Sequence, residues 1–296
     1  MSVYQVLYNL TQALPEADGT IKPDVESAIK NHKTDNINVV MAFPLKVGGT
    51  FLRTALIHLL AENYSASLLR GSYASTDQTR DLYFPSILHQ HVSRGDRPTA
   101  TVAHCHMYAT RPVTSILETF NMPVVVNTRN ILDTLLSYYE MLEKDKEQGI
   151  VARDDFVLQS HTSYHEMTPE ERRWHLVHVA PVWYSRFYSY WIRYSDECIE
   201  RSIKLPLWTK FDELKDRPIS LLSKIARHVD PKHEYSKKEV TAAHRKSVDS
   251  KKQLRFNKGQ SGRGAKFFND AEQETILKLM GPQPDHARRL REYGIV

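Results

Sequence analysis

Residues 37–52, INVVMAFPLKVGGTFL, decide the predicted fold class of this chain. The β-branched residues Ile37, Val39 and Val40 favour a buried strand, and a turn that contains proline follows them. Lys46, two glycines, a threonine and an apolar run come next, which predicts a short loop that leads into a helix. Unpaired backbone N–H groups and the helix dipole point outwards at such a loop, so the segment predicts a binding site for an anion.

The residues of this loop suit a phosphate group. Gly48 and Gly49 lack the Cβ atoms that would hold a phosphate away, Lys46 adds positive charge, and the hydroxyl of Thr50 adds a donor. Neither the G-x-x-x-x-G-K-[ST] pattern of nucleoside triphosphatases nor the G-x-G-x-x-G dinucleotide pattern occurs. The loop alone predicts a phosphorylated ligand, and it leaves open a tight strand-to-helix turn whose glycines only allow close packing.

The composition fits a globular protein with an ordinary core. The 296 residues are 25% charged and 41% hydrophobic, and two cysteines, Cys105 and Cys198, are too few for a disulfide framework. No apolar run approaches membrane-spanning length, and the first residues lack the basic and apolar regions of a signal peptide. We therefore expect a cytoplasmic protein without a transmembrane segment.

Strands that alternate with helices predict the architecture. Further strands are predicted at 99–105, 123–128 and 205–210, and the run PVVVNT at 123–128 is apolar enough for a strand buried on both faces. The predicted helices lie at 49–63, 111–120, 130–144, 174–200 and 218–229. This alternation predicts an α/β fold with one domain, a central parallel sheet of about four to five strands flanked by helices, and ligands at the carboxyl ends of the strands.

Two segments depart from this regular alternation within the predicted domain at 37–296, which an N-terminal helix and linker at 1–36 precede. The charged insert at 145–172 lacks clear periodicity. The segment 237–268 contains ten Lys or Arg residues and two acids before residue 267. Such a run fits a solvated face, a nucleic-acid patch or a lid over a charged small ligand, and its glycines favour a loop that approaches a ligand closely.

A second candidate site follows the apolar strand at 123–128. Arg129 stands where that strand ends, and Ser137 lies about two helical turns later in RNILDTLLSYY. An arginine at a strand end beside a helix N-terminus is well placed to bind a dianion through two hydrogen bonds. The alternative makes Arg129 part of a surface salt bridge and gives Ser137 no role in binding.

Four segments, in order, resemble motifs of the sulfotransferases that use PAPS (3′-phosphoadenosine 5′-phosphosulfate). PLKVGGTFL at 44–52 is similar to P-K-S-G-T-T-W, and RNILDTLLSYYEM at 129–141 is similar to R-N-P-x-D-x-x-x-S-Y-Y. LWTKFDELKDRP at 207–218 is similar to Y-E-D-L-K-x-x-P, and FNKGQSGRGAKFF at 256–268 is similar to the R-K-G-x-x-G lid. The resemblance covers 37–268 and implies transfer of a sulfonate group from PAPS to a hydroxyl or amine of a small molecule, without a metal.

The resemblance also assigns residues that bind the donor. Lys46 matches the lysine that stabilises the leaving phosphate, and Arg129 and Ser137 match the clamp on the 3′-phosphate. Phe51 stands where a tryptophan stacks on adenine, and Phe211 falls near the aromatic residue that borders the adenine. The remaining matches are Val47, Gly48, Gly49 and Thr50 in the loop and Lys258 and Gly259 in the lid, where Asn257 replaces an arginine whose role falls to Arg255 or Arg263.

The general base of the family is a histidine after the second strand, in a K-T-H-L-P context. The matching stretch is AHCHMY at 103–108, which implies His106 as the base and places His104 where the family often has lysine. Alternate strand residues face one side, so both histidines are candidates for accepting a hydroxyl proton at physiological pH. A His-x-His pair also occurs in metal sites, but no third ligand stands at a convincing spacing. Two structural histidines are the further alternative.

We expect the acceptor pocket to draw on the N-terminal helix, residues 65–98, Tyr138, Tyr139 and the region 145–190. The frequent tyrosine and tryptophan residues there suit a ring-bearing or amphiphilic acceptor. A small-molecule acceptor, and no nucleic acid, is the expected partner. Two other functions stay open. A P-loop kinase acting on a small metabolite would need ATP and Mg²⁺, although the usual lysine and Ser/Thr pair is missing. A nucleic-acid or polyanion binder would use the basic run, and its binding would depend steeply on salt.

The dimer motif of cytosolic sulfotransferases is not evident in the sequence, so no oligomeric state is predicted.

Overall fold

A computed structural model of the chain describes residues 36–68, 98–149, 164, 166–249 and 260–296. Its strands form one sheet and are β1 (Ile37–Ala42), β2 (Ser65–Leu68), β3 (Thr99–Cys105), β4 (Val124–Thr128) and β5 (Leu207–Lys210). Their order in the sheet is β2-β3-β1-β4-β5, and every neighbouring pair is parallel. The predicted parallel sheet is therefore confirmed. The helix predicted near the N-terminus lies outside the described residues.

Helices join the strands and cover both faces of the sheet. In chain order they are α1 (Gly49–Leu60), α2 (Arg111–Thr119), α3 (Ile131–Glu147), α4 (Pro169–His178), α5 (Ala180–Glu200), α6 (Phe211–Asp216), α7 (Pro218–Val229), α8 (Lys237–Asp249), α9 (Gly264–Phe267), α10 (Asp270–Met280) and α11 (Pro284–Glu292). A capping box starts α4, because the hydroxyl of Thr168 accepts from the N–H of Glu171 and the Glu171 carboxylate accepts from the N–H of Thr168.

Alternate residues of the strands supply two hydrophobic cores. Val40 of β1 and Val124 and Val126 of β4 face one core, together with α2, α3 and α5. Val39 and Val125 face the other core, together with α1 and α7. Every residue of β4 is buried, as expected for a central parallel strand with helices on both sides. The sheet is therefore the middle layer of three.

Three features differ from the sequence-based expectations. The short strand β2 was not predicted, because its residues, SASL, are polar or small and lie at the edge of the sheet. The helix predicted at 174–200 is divided at Val179 between α4 and α5, and Pro181 in the first turn of α5 has no N–H to continue the earlier helix. The first part of the basic run is the helix α8, which packs against α1, so the run is not one continuous loop.

The order of the strands places the candidate residues together. β1 is central, with β3 on one side and β4 on the other, and ligands of such sheets bind outside the carboxyl ends of strands where the order reverses. The loop that precedes α1, His106 and Arg129 follow the ends of β1, β3 and β4 respectively. Nowhere in the described ranges does a helix have the length and apolar character needed to cross a membrane.

Candidate functional site

The loop between β1 and α1 has an unusual backbone. Lys46 has a φ of 69° and Gly48 has a φ of 85°, a left-handed conformation that glycine adopts freely and lysine rarely. Gly48 is the N-cap of α1, and no described side chain caps the helix there. The first N–H groups of a helix have no partner within the helix, so this end of α1 offers hydrogen-bond donors and a positive dipole end to an anion.

The two glycines of the loop make room for protein side chains. A Cβ atom on Gly48 would lie 2.7 Å from Cδ2 of Leu214, and one on Gly49 would lie 2.8 Å from Cδ2 of Phe43 and closer still to the ring of His104. Close packing of protein side chains around the loop therefore requires these glycines, in addition to the close approach of a phosphate that the sequence predicts.

Arg129 connects the loop to the segment that begins at Gln260. Its Nη1 donates to the carbonyl oxygen of Lys46 at 2.8 Å, and its Nη2 donates to the carbonyl oxygen of Gln260 at 3.2 Å. The guanidinium lies 4.1 Å from the centre of the Phe211 ring. Burial lowers the pKa of Arg129, and nearby carboxylates oppose this shift. Its Nε is buried without a hydrogen-bond partner among the described residues.

Asn127 of β4, which was not among the predicted site residues, holds the loop through a side-chain hydrogen bond. Its Nδ2 donates to the carbonyl oxygen of Val47 at 2.6 Å, and its Oδ1 accepts from the hydroxyl of Thr209 at 2.9 Å. The hydroxyl of Tyr188 donates to its carbonyl oxygen at 3.4 Å. Asn127 is fully buried. In the sequence, the only indication of this role is an amide side chain that directly follows three valines in the strand VVVNT.

Asp133, also missed, attaches the turn at 260–264 to the first turn of α3. Its Oδ2 accepts from the N–H of Gly262 and its Oδ1 from the N–H of Gly264, both at 2.7 Å. Gly264 packs so closely on α3 that a Cβ atom would lie 2.5 Å from the backbone nitrogen of Asp133 and nearer to the carbonyl of Leu132. The carboxylate therefore places the glycine turn directly beside Arg129 and its helix.

Of the predicted lid residues, only Arg263 lies among the described residues. Its Nη1 donates to Oε2 of Glu140 at 3.1 Å and its Nη2 pairs with Oε1, so the structure joins this arginine to α3. The pairing raises the pKa of Arg263, chiefly through the hydrogen bond to Glu140. The other predicted lid residues, Arg255, Lys258 and Gly259, lie outside the described residues.

Four other predicted binding residues occupy different surroundings. The side chain of Val47 is fully buried in the core, so only its backbone faces the loop. Phe51 makes an edge-to-face contact with His244, at 5.4 Å between ring centres. Ser137 is buried on α3, and Thr50 is half-buried in the first turn of α1. The structure thus brings the loop, Arg129, Phe211 and the glycine turn together.

Two buried histidines follow one another along the end of β3. His106 shares a 2.5 Å hydrogen bond between Nδ1 and the carbonyl oxygen of Phe43, so Nδ1 is the protonated atom and Nε2 carries the lone pair. His104 lies 5.2 Å from His106 between ring centres. Burial, and then the charges of His106 and Arg53, lower the pKa of His104 well below its usual value. Among the described residues, no three His, Cys, Asp or Glu side chains are grouped to hold a metal ion.

No protein-family model and no curated protein matches the chain in sequence. Its structure is similar to mouse sulfotransferase SULT7A1 complexed with PAP, with 13% identity, 90% of this chain and 93% of that chain covered, and a TM-score of 0.56. Retinol dehydratase in complex with androsterone and inactive cofactor PAP has 10% identity, coverage of 93% and 87%, and a TM-score of 0.47. A sulfotransferase from Alicyclobacillus acidocaldarius has 14% identity, coverage of 87% and 96%, and a TM-score of 0.43. The similarity to the mouse enzyme shows that the chain has a sulfotransferase fold, as its motifs predicted.

Proposed function

We propose that this protein transfers a sulfonate group from PAPS to a hydroxyl or amine of a small-molecule acceptor. The observation that supports this most is the position of Arg129, which hydrogen-bonds both the loop at Lys46 and the segment at Gln260. A nucleotide with anionic groups on both its 3′ and 5′ positions needs two such anion-binding segments. The mouse sulfotransferase of the same fold, complexed with PAP, points to the same class of ligand.

Buried polar atoms at the site fit this ligand. Nε of Arg129 and both ring nitrogens of His104 lack partners among the described residues, and such atoms usually have a partner in a native protein. In this proposal the loop and the N-terminus of α1 hold the 5′ end, and Arg129 with Ser137 holds the 3′-phosphate. The other proposed donor contacts are Val47 through its backbone, Gly48, Gly49, Thr50, Phe51, Phe211, Lys258 and Gly259, with Arg255 or Arg263.

The bound donor supplies a sulfonate group on a phosphate leaving group. His106 accepts the proton of the acceptor hydroxyl at Nε2, because its Nδ1 proton is held by the carbonyl of Phe43. The acceptor oxygen then bonds to sulfur as the bond from sulfur to the bridging oxygen breaks. Lys46 and the first N–H groups of α1 balance the negative charge that develops on that oxygen.

The proposed acceptor is a ring-bearing or amphiphilic small molecule. Tyr108, two residues after His106, is half-buried and stacks on Tyr190 with 5.4 Å between ring centres. The guanidinium of Arg186 lies 5.2 Å from the Tyr108 ring centre. Aromatic faces next to the proposed base provide apolar area and orientation for a ring.

Calorimetric binding of PAP and of ATP, both without magnesium, tests the donor assignment. We expect tight binding of PAP and weak binding of ATP by the wild-type chain. A preference for ATP that needs Mg²⁺ would favour the kinase alternative. Binding of heparin that falls steeply with salt, together with no binding of PAP, would favour the polyanion binder.

Turnover is tested separately with radiolabelled PAPS and a panel of hydroxylated and amino compounds. Transfer of label to a ring-bearing acceptor is expected. Tight PAP binding without transfer to any compound in a broad panel would contradict the enzymatic part of the proposal.

A further inference from the structure

His104 is a buried imidazole whose polar atoms have no protein partner. Its side chain is 2% exposed, and neither Nδ1 nor Nε2 has a hydrogen bond to any described residue. Its ring contacts are with Phe43 and His106, at 5.9 Å and 5.2 Å between ring centres. Buried polar groups without partners are costly and uncommon, so an unpaired imidazole at a ligand site indicates a partner that comes with the ligand.

The unpaired imidazole is directed at the first residue of α1. A Cβ atom on Gly49 would lie 2.9 Å from Cε1 of His104 and nearer still to Nε2. Gly49 has no positive φ, so the space taken by the rings of His104 and Phe43, and not the backbone conformation, requires glycine here. The Nε2 atom therefore reaches the end of α1 that no described side chain caps. The Nε2 atom and the first N–H groups of the helix therefore lie at the same end of α1.

The surroundings of His104 keep the ring neutral. Burial lowers its pKa most, and two titratable side chains that face the ring, His106 just after the end of β3 and Arg53 in the second turn of α1, lower it further, to well below its usual value. A neutral imidazole has one N–H donor and one acceptor nitrogen. It can give a hydrogen bond to an anion without adding a positive charge.

We propose that His104 donates a hydrogen bond from Nε2 to an anionic oxygen at the 5′ end of the nucleotide, and that it is a binding residue instead of a second candidate base. This inference rests on the proposed function. It also separates the roles of the two histidines. His106 has its Nδ1 proton fixed by a backbone carbonyl, which suits a base, whereas His104 has its unpaired nitrogen at a helix N-terminus, which suits an anion.

The substitution His104→Leu tests the proposal with two ligands. PAP carries the 5′ phosphate, whereas adenosine 3′-phosphate lacks it. We expect the variant to bind PAP about tenfold or more weakly, the usual loss for a hydrogen bond to a charged group, and adenosine 3′-phosphate within about twofold of wild type. We also expect an unchanged or higher melting temperature, because leucine removes two unpaired buried nitrogens. Equal loss for both ligands, or no loss, would overturn the proposal.

The control uses a half-buried histidine that does have a hydrogen-bond partner. The Nε2 of His228 donates to the carbonyl oxygen of Val124 at 3.1 Å, away from the loop. His228→Leu removes a satisfied hydrogen bond, so it should lower the melting temperature and leave PAP affinity unchanged. If His228→Leu weakens PAP binding as much as His104→Leu does, the effect is general and the proposal is wrong.

A double substitution keeps the test informative if His104→Leu folds poorly. Gly49→Ala alone should displace the His104 ring and weaken PAP binding. Because the new Cβ atom would also meet Phe43, Gly49→Ala combined with His104→Ala should still cost some affinity, but clearly less than the sum of the two single losses. Additive losses would contradict the contact.

Turnover gives a separate test. At saturating PAPS, turnover by His104→Leu should stay within about tenfold of wild type, and a loss as large as that expected from removing a base would overturn the proposal. Wild-type protein that does not bind PAP would refute the proposed function itself, whatever the variants do.

Discussion

The Nη1 atom of Arg129 donates to the carbonyl oxygen of Lys46 at 2.8 Å, which joins the end of β4 to the loop after β1. Lys46 has a φ of 69°, a conformation that costs free energy for a residue with a side chain and persists where neighbours impose it. The side chain proposed to bind the 3′-phosphate therefore also shapes the loop proposed to hold the 5′ end. In the proposed function, binding at the two ends of the nucleotide is therefore coupled through one guanidinium.

The first prediction concerns this coupling. Arg129→Lys keeps a positive charge but loses the planar fork that reaches the carbonyls of Lys46 and Gln260 together. We expect PAP to bind about tenfold or more weakly, measured by calorimetry. Arg289→Lys is the control, because Arg289 makes a similar two-atom contact with Asp196 on the surface of α5. Unchanged affinity in Arg129→Lys would contradict the role given to the fork.

The second prediction concerns the proposed base. His106→Ala removes the imidazole whose Nδ1 is hydrogen-bonded to Phe43. We expect turnover to fall by about 10²–10⁴-fold, the usual contribution of a positioned base, while PAP affinity stays within about twofold. Radiolabel transfer and calorimetry on the same sample measure the two quantities. An active variant would return the role of base to His104.

The third prediction concerns the docking of the glycine turn on α3. Gly264→Ala would place a Cβ atom 2.5 Å from the backbone nitrogen of Asp133, and backbone cannot move aside as a flexible side chain can. We expect a loss of about 1–3 kcal/mol in the free energy of unfolding, measured with urea, and weaker PAP binding. Gly149→Ala is the control. It has a φ of 65° and open space around its Cα, so it should cost about 1–2 kcal/mol and leave PAP binding unchanged.

The fourth prediction concerns acid sensitivity. Burial, with a smaller contribution from Lys204, lowers the pKa of His228 from 6.5 to about 4, against the effect of its hydrogen bond to Val124. Above pH 6.5 this histidine is neutral in both the folded and unfolded states. Between pH 6.5 and about 4 only the unfolded state takes up the proton, so stability falls as the pH falls. Below both values its contribution levels off.

His228→Gln is the variant for this fourth test, because glutamine can still donate to the carbonyl of Val124 and does not titrate. Urea denaturation from neutral pH to about pH 4 should show a shallower loss of stability in the variant than in the wild type. A residual slope is expected from carboxylates and from His104, whose pKa is also lowered. Identical slopes in the two proteins would show that His228 is not responsible.

Local patterns were sufficient to predict most of the sheet and several helices. The helix predicted at 218–229 has those bounds in the structure, since Pro218 starts it and a regular apolar face follows. The strand at 123–128 was evident from its apolar run, because a central strand needs little other information. The edge strand at 65–68 has weak local preferences and depends on β3, which lies some thirty residues further along the chain.

Contacts between distant segments explain what the sequence could not reveal about the site. Asn127 and Val47 are 80 residues apart, and Asp133 and Gly262 are 129 residues apart. Their hydrogen bonds depend on the sheet order, which no single segment encodes. The Gly49 and His104 contact is of the same kind. The motifs indicated which segments meet, and only the three-dimensional arrangement indicates which atoms do.

Asn127 has a consequence for the chemical ageing of this protein. Its amide donates to the Val47 carbonyl on one side and accepts from Thr209 on the other, so the two ends of the amide are not interchangeable. Deamidation to aspartate would replace the donor with an oxygen and set two acceptors face to face at the base of the loop. The change leaves the size and shape of the side chain almost the same, but it removes the donor and adds a negative charge at a fully buried position under the loop. Deamidated molecules should therefore lose affinity for the proposed donor nucleotide.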